Sequence, residues 1–586
     1  MSPIGVHEPL LLVGVIALPL AMAVALASPL LRERAQPLAP LAALPALGLA
    51  LFGAPGSSLE LPWLFKHTVL AMDETGRVFL GFTSALYLAA AWYALSYLKS
   101  DSHPTRFVAL LLLAMAGNFG LILAGDVPTF YFGFALMGLA SAGLVLQRGD
   151  AEARRAGRIY LALTMVGEVL IFSGFGFLMV SAGTTEIAEL HRGVFSRPAL
   201  LLLMLGFGIK AGALTLHFWL PLAHPAAPVP ASAVLSGAMI KAGLLGWIRF
   251  LPLGEAAMPA AGFALISAGL GAAFLGTLVG VVQRNPKTVL AYSSISQMGI
   301  ITTGLGIGAL RPEAWLEIQT AVLIYATHHA LSKGALFLGV GPAQMAHTRL
   351  QVATARVGLL LPALALAGAP FTSGALAKVA LKSNLVFLPG GWASVLEILL
   401  PVAAVGTTLK MARFLWLTWP SHTSAAGEDA QGMWLPWLCL VAAVLLGVWL
   451  LPGALGLLPA KLTPQKLWLA TWPLLVGGGL AALGAWLRRW VSGDPSRWLP
   501  AGDVGVLLEK LVAGLRPRTP AQPAPDHGHE HGESSTSRGL SGYARTAALG
   551  VRLGAIERRL SRWPVAGFAL LVSMGLLLWL LTGPGS

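Results

Sequence analysis

Charged side chains are scarce in this sequence. Asp, Glu, Lys and Arg make up 11% of its 586 residues against 56% hydrophobic ones, and the mean hydropathy is +0.74. A soluble globular domain carries about a quarter charged residues, so this chain has too little polar surface to enclose a core in water. There is one cysteine, Cys439, which excludes internal disulfides and thiolate-ligated zinc or iron–sulfur sites. Neither a nucleotide fingerprint nor a quinone-type constellation occurs. No resident cofactor or metal is expected, and the chain cannot by itself oxidise anything. A basic leader and a small-residue cleavage motif are also missing around "MSPIGVHEP". The first apolar run therefore reads as a retained helix, not a signal peptide.

What the chain has instead is apolar length. Runs of 18 or more residues start near 9, 37, 77, 106, 127, 158, 198, 226, 257, 286, 314, 352, 392, 433, 467 and 563. That length crosses a bilayer as helix, and in hydrocarbon each segment must satisfy its own backbone, which excludes open sheets. The expected fold is an all-α polytopic membrane protein with about sixteen transmembrane helices. The formal charge of +14 is spread over short loops, which reads as membrane topology and not as nucleic-acid binding. Arg32, Arg34, Lys99, Arg106, Arg148, Arg154, Arg155, Arg158, Arg284 and Lys287 follow odd-numbered runs. Those loops are expected in the cytoplasm and the N terminus outside.

The chain divides on composition into N-terminal spans (1–104), two bundles (105–252 and 253–420), additional spans (421–490), a linker (491–562) and a final span (563–586). The linker contains "RPRTPAQPAPDHGHEHGESSTSRG", a flexible Pro/Ser/Gly-rich stretch. His527, His529 and His531 fall within it and read as part of a polar linker. Beyond it Leu549, Leu553, Ile556 and Leu560 recur on one helical face, and Arg545, Arg552, Arg558, Arg559 and Arg562 make the remainder basic. This pattern predicts an amphipathic helix lying along a membrane surface or a partner.

The few charges inside the runs are the informative ones. Lys210, Lys241, Lys333 and Lys378 lie deep in apolar segments, as does Glu168 in "LTMVGEVLIF". A charge at the bilayer centre costs about 2.5–3.5 kcal/mol on insertion scales. Such residues face a bundle interior or a wet cavity, whereas Lys99, Lys461 and Lys466 sit where they can snorkel. His329 and Lys333 share a helical face with His328 alongside, and His217 and His224 lie between Lys210 and Lys241. Loss of hydration disfavours the charged form of an amine, so this set reads as a proton relay, with salt-bridge glue as the alternative. "LPLAHPAAPVPAS" and "LAGAPFTSGALAK" place helix breakers beside these groups. Broken helices at membrane depth surround ion paths, and their presence in both halves predicts two related, inverted repeats.

Four motifs in order carry a resemblance: "LHFWLPLAHPAAPVPASAVLSGAMIKAGLLGWIRF", "QRNPKTVLAYSSISQMG", "HHALSKGALFLGVG" and "LAGAPFTSGALAK". With "AMDETGRVFLGF" ahead of them, the chain resembles the antiporter-like subunits of respiratory complex I, membrane-bound hydrogenases and multisubunit cation/proton antiporters. The likeness covers roughly 70–420. It implies that Lys210 is the central lysine, Lys241 that of the next helix, His329 and Lys333 a connecting pair, and Lys378 the exit lysine. The basic C-terminal helix would be the lateral helix of the long family members. Other membrane subunits and soluble electron-transfer subunits are implied as partners, protons (or sodium) as the ion, and a bacterial inner membrane as the location. Two departures stand out. The family's fifth-helix glutamate falls at Ala135, leaving Glu168 as its substitute, and the aspartate of the family's "WLPDA" is replaced by Leu222. A proton-translocating redox complex is the expected context. A cation/proton antiporter module, a proton channel energising inorganic carbon uptake, and a non-conducting scaffold are the alternatives.

Overall fold

A computed structural model describes residues 8–65, 67–190, 195–420, 431–454, 463–487, 499–502 and 506. The helices are α1 (Glu8–Ala27), α2 (Pro29–Leu38), α3 (Leu44–Phe52), α4 (Glu74–Tyr97), α5 (Pro104–Leu123), α6 (Val127–Val145) and α7 (Ala151–Ala182). There follow α8 (Ile187–Leu190), α9 (Arg197–Ala211), α10 (Trp219–Ala226), α11 (Val229–Val234), α12 (Ile240–Phe250), α13 (Pro259–Gly280) and α14 (Pro286–Leu310). The last are α15 (Trp315–Leu338), α16 (Val340–Met345), α17 (Arg349–Ala367), α18 (Ser373–Ser383), α19 (Gly391–Thr418), α20 (Gln431–Ala454) and α21 (Pro464–Leu487). Two short strands, β1 (Ser57–Leu61) and β2 (Thr68–Met72), pair between α3 and α4. The described residues of 1–60 and 69–509 form one compact unit. Leu61–Thr68 falls in a second, whose other residues lie outside those described. Residues 510–562 of the linker, where the amphipathic helix is expected, and the final span are among these.

Eleven helical stretches among the described residues are long and apolar enough to cross a membrane, so the protein is a multi-pass membrane protein. The other five expected runs are as follows. The run from 198 is cut short by a break after α9, and that from 433 lies in α20, described as an apolar stretch over Gln431–Gly447. The helices from 286 and 314, α14 and α15, are full length but more polar. They carry Ser293, Ser294, Ser296 and Gln297, and His328, His329 and Lys333, all buried. The run from 563 lies outside the described residues.

Small residues let the spans close on one another. A Cβ added to Gly269 of α13 would lie 2.4 Å from the Gly299 carbonyl oxygen of α14, and one added to Gly299 would lie equally close to the Gly269 oxygen. Backbone contact of this kind substitutes for the hydrophobic drive that lipid removes.

Both halves contain a helix interrupted in the same way. α9 ends at Gly212 (φ 71°) and α17 at Gly368 (φ 91°), left-handed glycines that stop the ladder. Three residues later each loop holds a non-glycine at positive φ, Thr215 (71°) and Phe371 (64°). Each break also begins with the same tripeptide, Ala211–Ala213 matching Ala367–Ala369. Strained backbone persists where the surroundings over-determine it.

Arg249 of α12 ties three elements together. Its guanidinium donates to the carbonyls of Ala124 (2.9 Å), Ile122 (2.7 Å) and Leu121 (3.3 Å) at the end of α5, and pairs with Asp73 at 3.0 Å. Asp73 caps α4 by accepting from Gly76 N–H. Arg249→Met strips donors from three helix-end carbonyls, at about 1–3 kcal/mol for each buried one. The Asp73 side chain is 57% exposed, so Asp73→Asn costs about 1 kcal/mol or less and keeps a good cap. Thermal unfolding in detergent is expected to fall much further for Arg249→Met; the opposite order would refute the clamp.

Candidate functional site

Lys210 lies on the last turn of α9, just before the break, and is buried. Its Nζ donates to Tyr160 Oη of α7 at 3.0 Å and stands 5.2 and 5.6 Å from the ring centres of Tyr160 and Phe134. Tyr160, Thr164 and Glu168 follow one another at four-residue steps along α7, on one helical face. A Cβ on Gly138 of α6 would lie 2.9 Å from Glu168 Oε1 and 3.4 Å from Lys210 Nζ. Those two atoms are therefore within 6.3 Å of each other, both figures taken together. Glu168 Oε1 is buried with no hydrogen-bond partner among the described residues. The structure thus brings Glu168 beside Lys210 without a direct bond between them. Ala135 lies on the α6 face that also carries Tyr131 and Gly138.

Lys241 and Lys333 form the second cluster, both fully buried. The span through α11 and α12 contains a π-helical turn, Leu235–Met239, which loosens the regular ladder as such turns do at functional sites. Lys241 Nζ donates to the Ser236 carbonyl in that turn at 2.7 Å. The Ser236 hydroxyl bonds the Ser294 hydroxyl of α14 at 2.7 Å, and Ser294 donates to the Leu290 carbonyl at 3.1 Å. That same carbonyl accepts from Lys333 Nζ of α15 at 2.8 Å. Two ammonium groups on different helices are therefore joined through a serine pair. His329 is fully buried in α15, one turn before Lys333, and neither ring nitrogen has a partner among the described residues.

The second break holds the remaining candidates. Lys378 of α18 donates to the Ala367 carbonyl at the end of α17, placing its charge on the negative end of that helix. It lines a cavity of about 300 Å³ with Tyr325, Gly368, Lys382 and Pro401. His328 Nδ1 meets Ser373 Oγ at 2.8 Å at the start of α18, while its Nε2 is buried and without a partner among the described residues. His217 is buried in the first break, and His224 of α10 stacks on Phe337 at 4.6 Å with both nitrogens likewise unpartnered. Leu222, the position of the replaced aspartate, lines a cleft of about 380 Å³ with Pro225, Gln283, Arg284 and Thr288. Sequence reasoning missed Tyr160, the Ser236–Ser294 pair and Lys410. Lys410 carried the same signal as the other lysines, a cation within the apolar run of α19.

Residues 124–401 match the family described as NADH:quinone oxidoreductase/Mrp antiporter, TM. Over that stretch the chain is similar to the family's membrane part. Hydrogenase-4 component B of Escherichia coli (strain K12) is 29% identical over 295 residues, 48% of this chain and 44% of that protein. A chain of the Mrp complex from Dietzia sp. DQ12-45-1b shares the fold with a TM-score of 0.73 at 22% identity, over 97% of this chain and 62% of that one. A chain of the membrane-bound sulfane sulfur reductase, an archaeal respiratory membrane complex, does so at 0.64 and 19%, over 80% and 98%. The chain therefore spans under half of the curated relative and less than two thirds of the Mrp chain. Within residues 124–401, a carboxylate placed at position 135 would share a face with Gly138, against which Glu168 and Lys210 rest. Ala135→Glu is accordingly expected to fold, with a detergent unfolding temperature near that of the unmodified chain. A collapse in yield of folded protein would contradict this placement.

Proposed function

We propose that the chain is a proton-translocating, antiporter-like subunit of a multisubunit membrane complex in a bacterial inner membrane. Its drive would come from redox chemistry of the complex I or hydrogenase kind in soluble partner subunits. The observation that carries the reading is the row of amines, buried Lys210, Lys241 and Lys333 and half-buried Lys378, interleaved with Glu168, His224, His328 and His329. Those four acid and imidazole side chains each keep at least one buried polar atom without a partner among the described residues. Buried polar atoms are nearly always hydrogen-bonded, to water where protein offers nothing, so the row supports a hydrated path. The matching breaks at Gly212 and Gly368 support two inverted repeats over 105–252 and 253–420.

In this reading Lys210 holds a proton against Tyr160, with Glu168 close enough to stabilise the ammonium. A proton leaving Lys210 is taken up toward Lys241, and the serine pair makes the charge of Lys241 felt at Lys333. Repulsion between neighbouring ammonium groups then moves the proton on toward Lys378 and the cavity it lines. A cation/proton antiporter module, or a proton channel energising inorganic carbon uptake with a separate partner, is the second reading. The fold match to an Mrp chain over 97% of this chain supports it.

Inside-out vesicles carrying the complete complex test the proposal through dye-reported proton movement. Lys210→Ala is expected to abolish it while the chain still accumulates. Lys210→Arg is expected to fail nearly as badly, because a guanidinium keeps its proton at any accessible pH. Unchanged movement in Lys210→Ala would overturn the relay. Driving the same vesicles with a reductant or with an imposed sodium gradient separates the two readings.

A further inference from the structure

We propose that Lys410 is a further proton-carrying residue, placed between Lys333 and the cavity at Lys378; this rests on the proton-translocation reading above. Lys410 is fully buried on α19, two turns from the end of that helix. Its Nζ donates to Thr277 Oγ1 of α13 at 2.7 Å, and Thr277 in turn donates to the Ala273 carbonyl at 2.9 Å. Neither α13 nor α14 contains an acidic residue. The acid on α19, Glu397, is thirteen positions away, about 20 Å along a helix. An ion-pair role is therefore closed to it. Snorkelling does not account for it either. Arg413, one turn on, reaches the Gln283 carbonyl in the loop after α13, whereas Lys410 turns to a hydroxyl within the bundle.

Its surroundings point inward along a polar strip. Thr407, one turn before Lys410, accepts from Gln297 Nε2 at 2.9 Å, and Gln297 Oε1 accepts from Tyr325 Oη at 2.9 Å. Tyr325 lines the same cavity as Lys378. On the other side, a Cβ on Gly280 would lie 3.3 Å from Lys410 Cδ and 2.9 Å from Tyr292 Cβ. Only a glycine lets the lysine stem pass so close to α14, two residues beyond the Leu290 carbonyl that holds Lys333. Lys410 is within electrostatic reach of both Lys333 and Lys378. The step is a proton transfer through water. An N–H bond of the Lys333 ammonium breaks, one forms on the neutral Lys410 amine, and Lys410 then returns the proton to water in the Lys378 cavity, regaining its starting state.

The test uses vesicles holding the full complex, with chain abundance measured by immunoblot. Lys410→Met is expected to lower proton movement by at least about tenfold, and Lys410→Arg to lower it as far, since a fixed charge cannot release its proton. Wild-type movement in Lys410→Met, or restoration by Lys410→Arg, overturns the proposal while Lys210→Ala still reports a working relay. Wild-type movement in Lys210→Ala would instead remove the proton-translocation reading, and this inference with it. Should Lys410→Met fail to accumulate, Thr277→Val keeps the lysine and deletes its acceptor. A several-fold loss is expected there, and an unchanged rate overturns the proposal.

Discussion

An ammonium group in a bilayer needs an acceptor, and in this protein it is a backbone carbonyl or a hydroxyl inside the bundle. Lys241 uses Ser236 in the π-turn, Lys378 uses Ala367 at the second break, and Lys210 and Lys410 use the hydroxyls of Tyr160 and Thr277. Lys333 takes the Leu290 carbonyl in the first turns of α14. An uninterrupted helix spends its carbonyls on its own ladder. At the π-turn and at the second break the freed carbonyl and the lysine therefore satisfy each other.

Holding amines on carbonyls and hydroxyls, not on carboxylates, has a consequence for charge. A salt bridge to an ionised acid would fix the proton on the lysine, whereas a carbonyl acceptor satisfies the N–H without adding a full counter-charge. The exception is informative. Glu168 stands near Lys210 but not in hydrogen-bonding contact, since its Oε1 has no partner among the described residues. The arginines occupy different ground: Arg249 and Arg413 sit on the ends of helices and grip loop or terminal carbonyls. A group that always keeps its proton suits a clamp, and one that can lose it suits the interior.

Much of this was legible in the residues themselves. The apolar runs locate α1, α4 to α7, α13, α17 and α19, and the lysines inside them stand out because a buried charge is so costly. Gly368 lies in a stretch legible as a breaker, whereas the first break comes at Gly212, ahead of the proline-rich stretch 220–232 that marked it in the sequence. Other features had no local signal. The Ser236–Ser294 pair joins positions 58 residues apart, and serines scattered through a span look alike until the helices are packed. Tyr160 meets Lys210 across two helices for the same reason. Lys410 was legible and passed over, because no proline or glycine break lies beside it to mark a path. α14 and α15 are less apolar than lipid-facing spans because they are packed within the bundle, where a polar side chain finds partners.

The central claim is that the buried lysines act as one coupled chain, with the Ser236–Ser294 bridge joining Lys241 to Lys333. Proton movement in vesicles of the complete complex, measured for Lys241→Met, Lys333→Met and the double variant, tests it most directly. Residues that act as a unit are not additive, so the account predicts that each single variant loses nearly as much as the pair. Losses that multiply in the double variant, or a single variant that pumps as well as the unmodified chain, would contradict it.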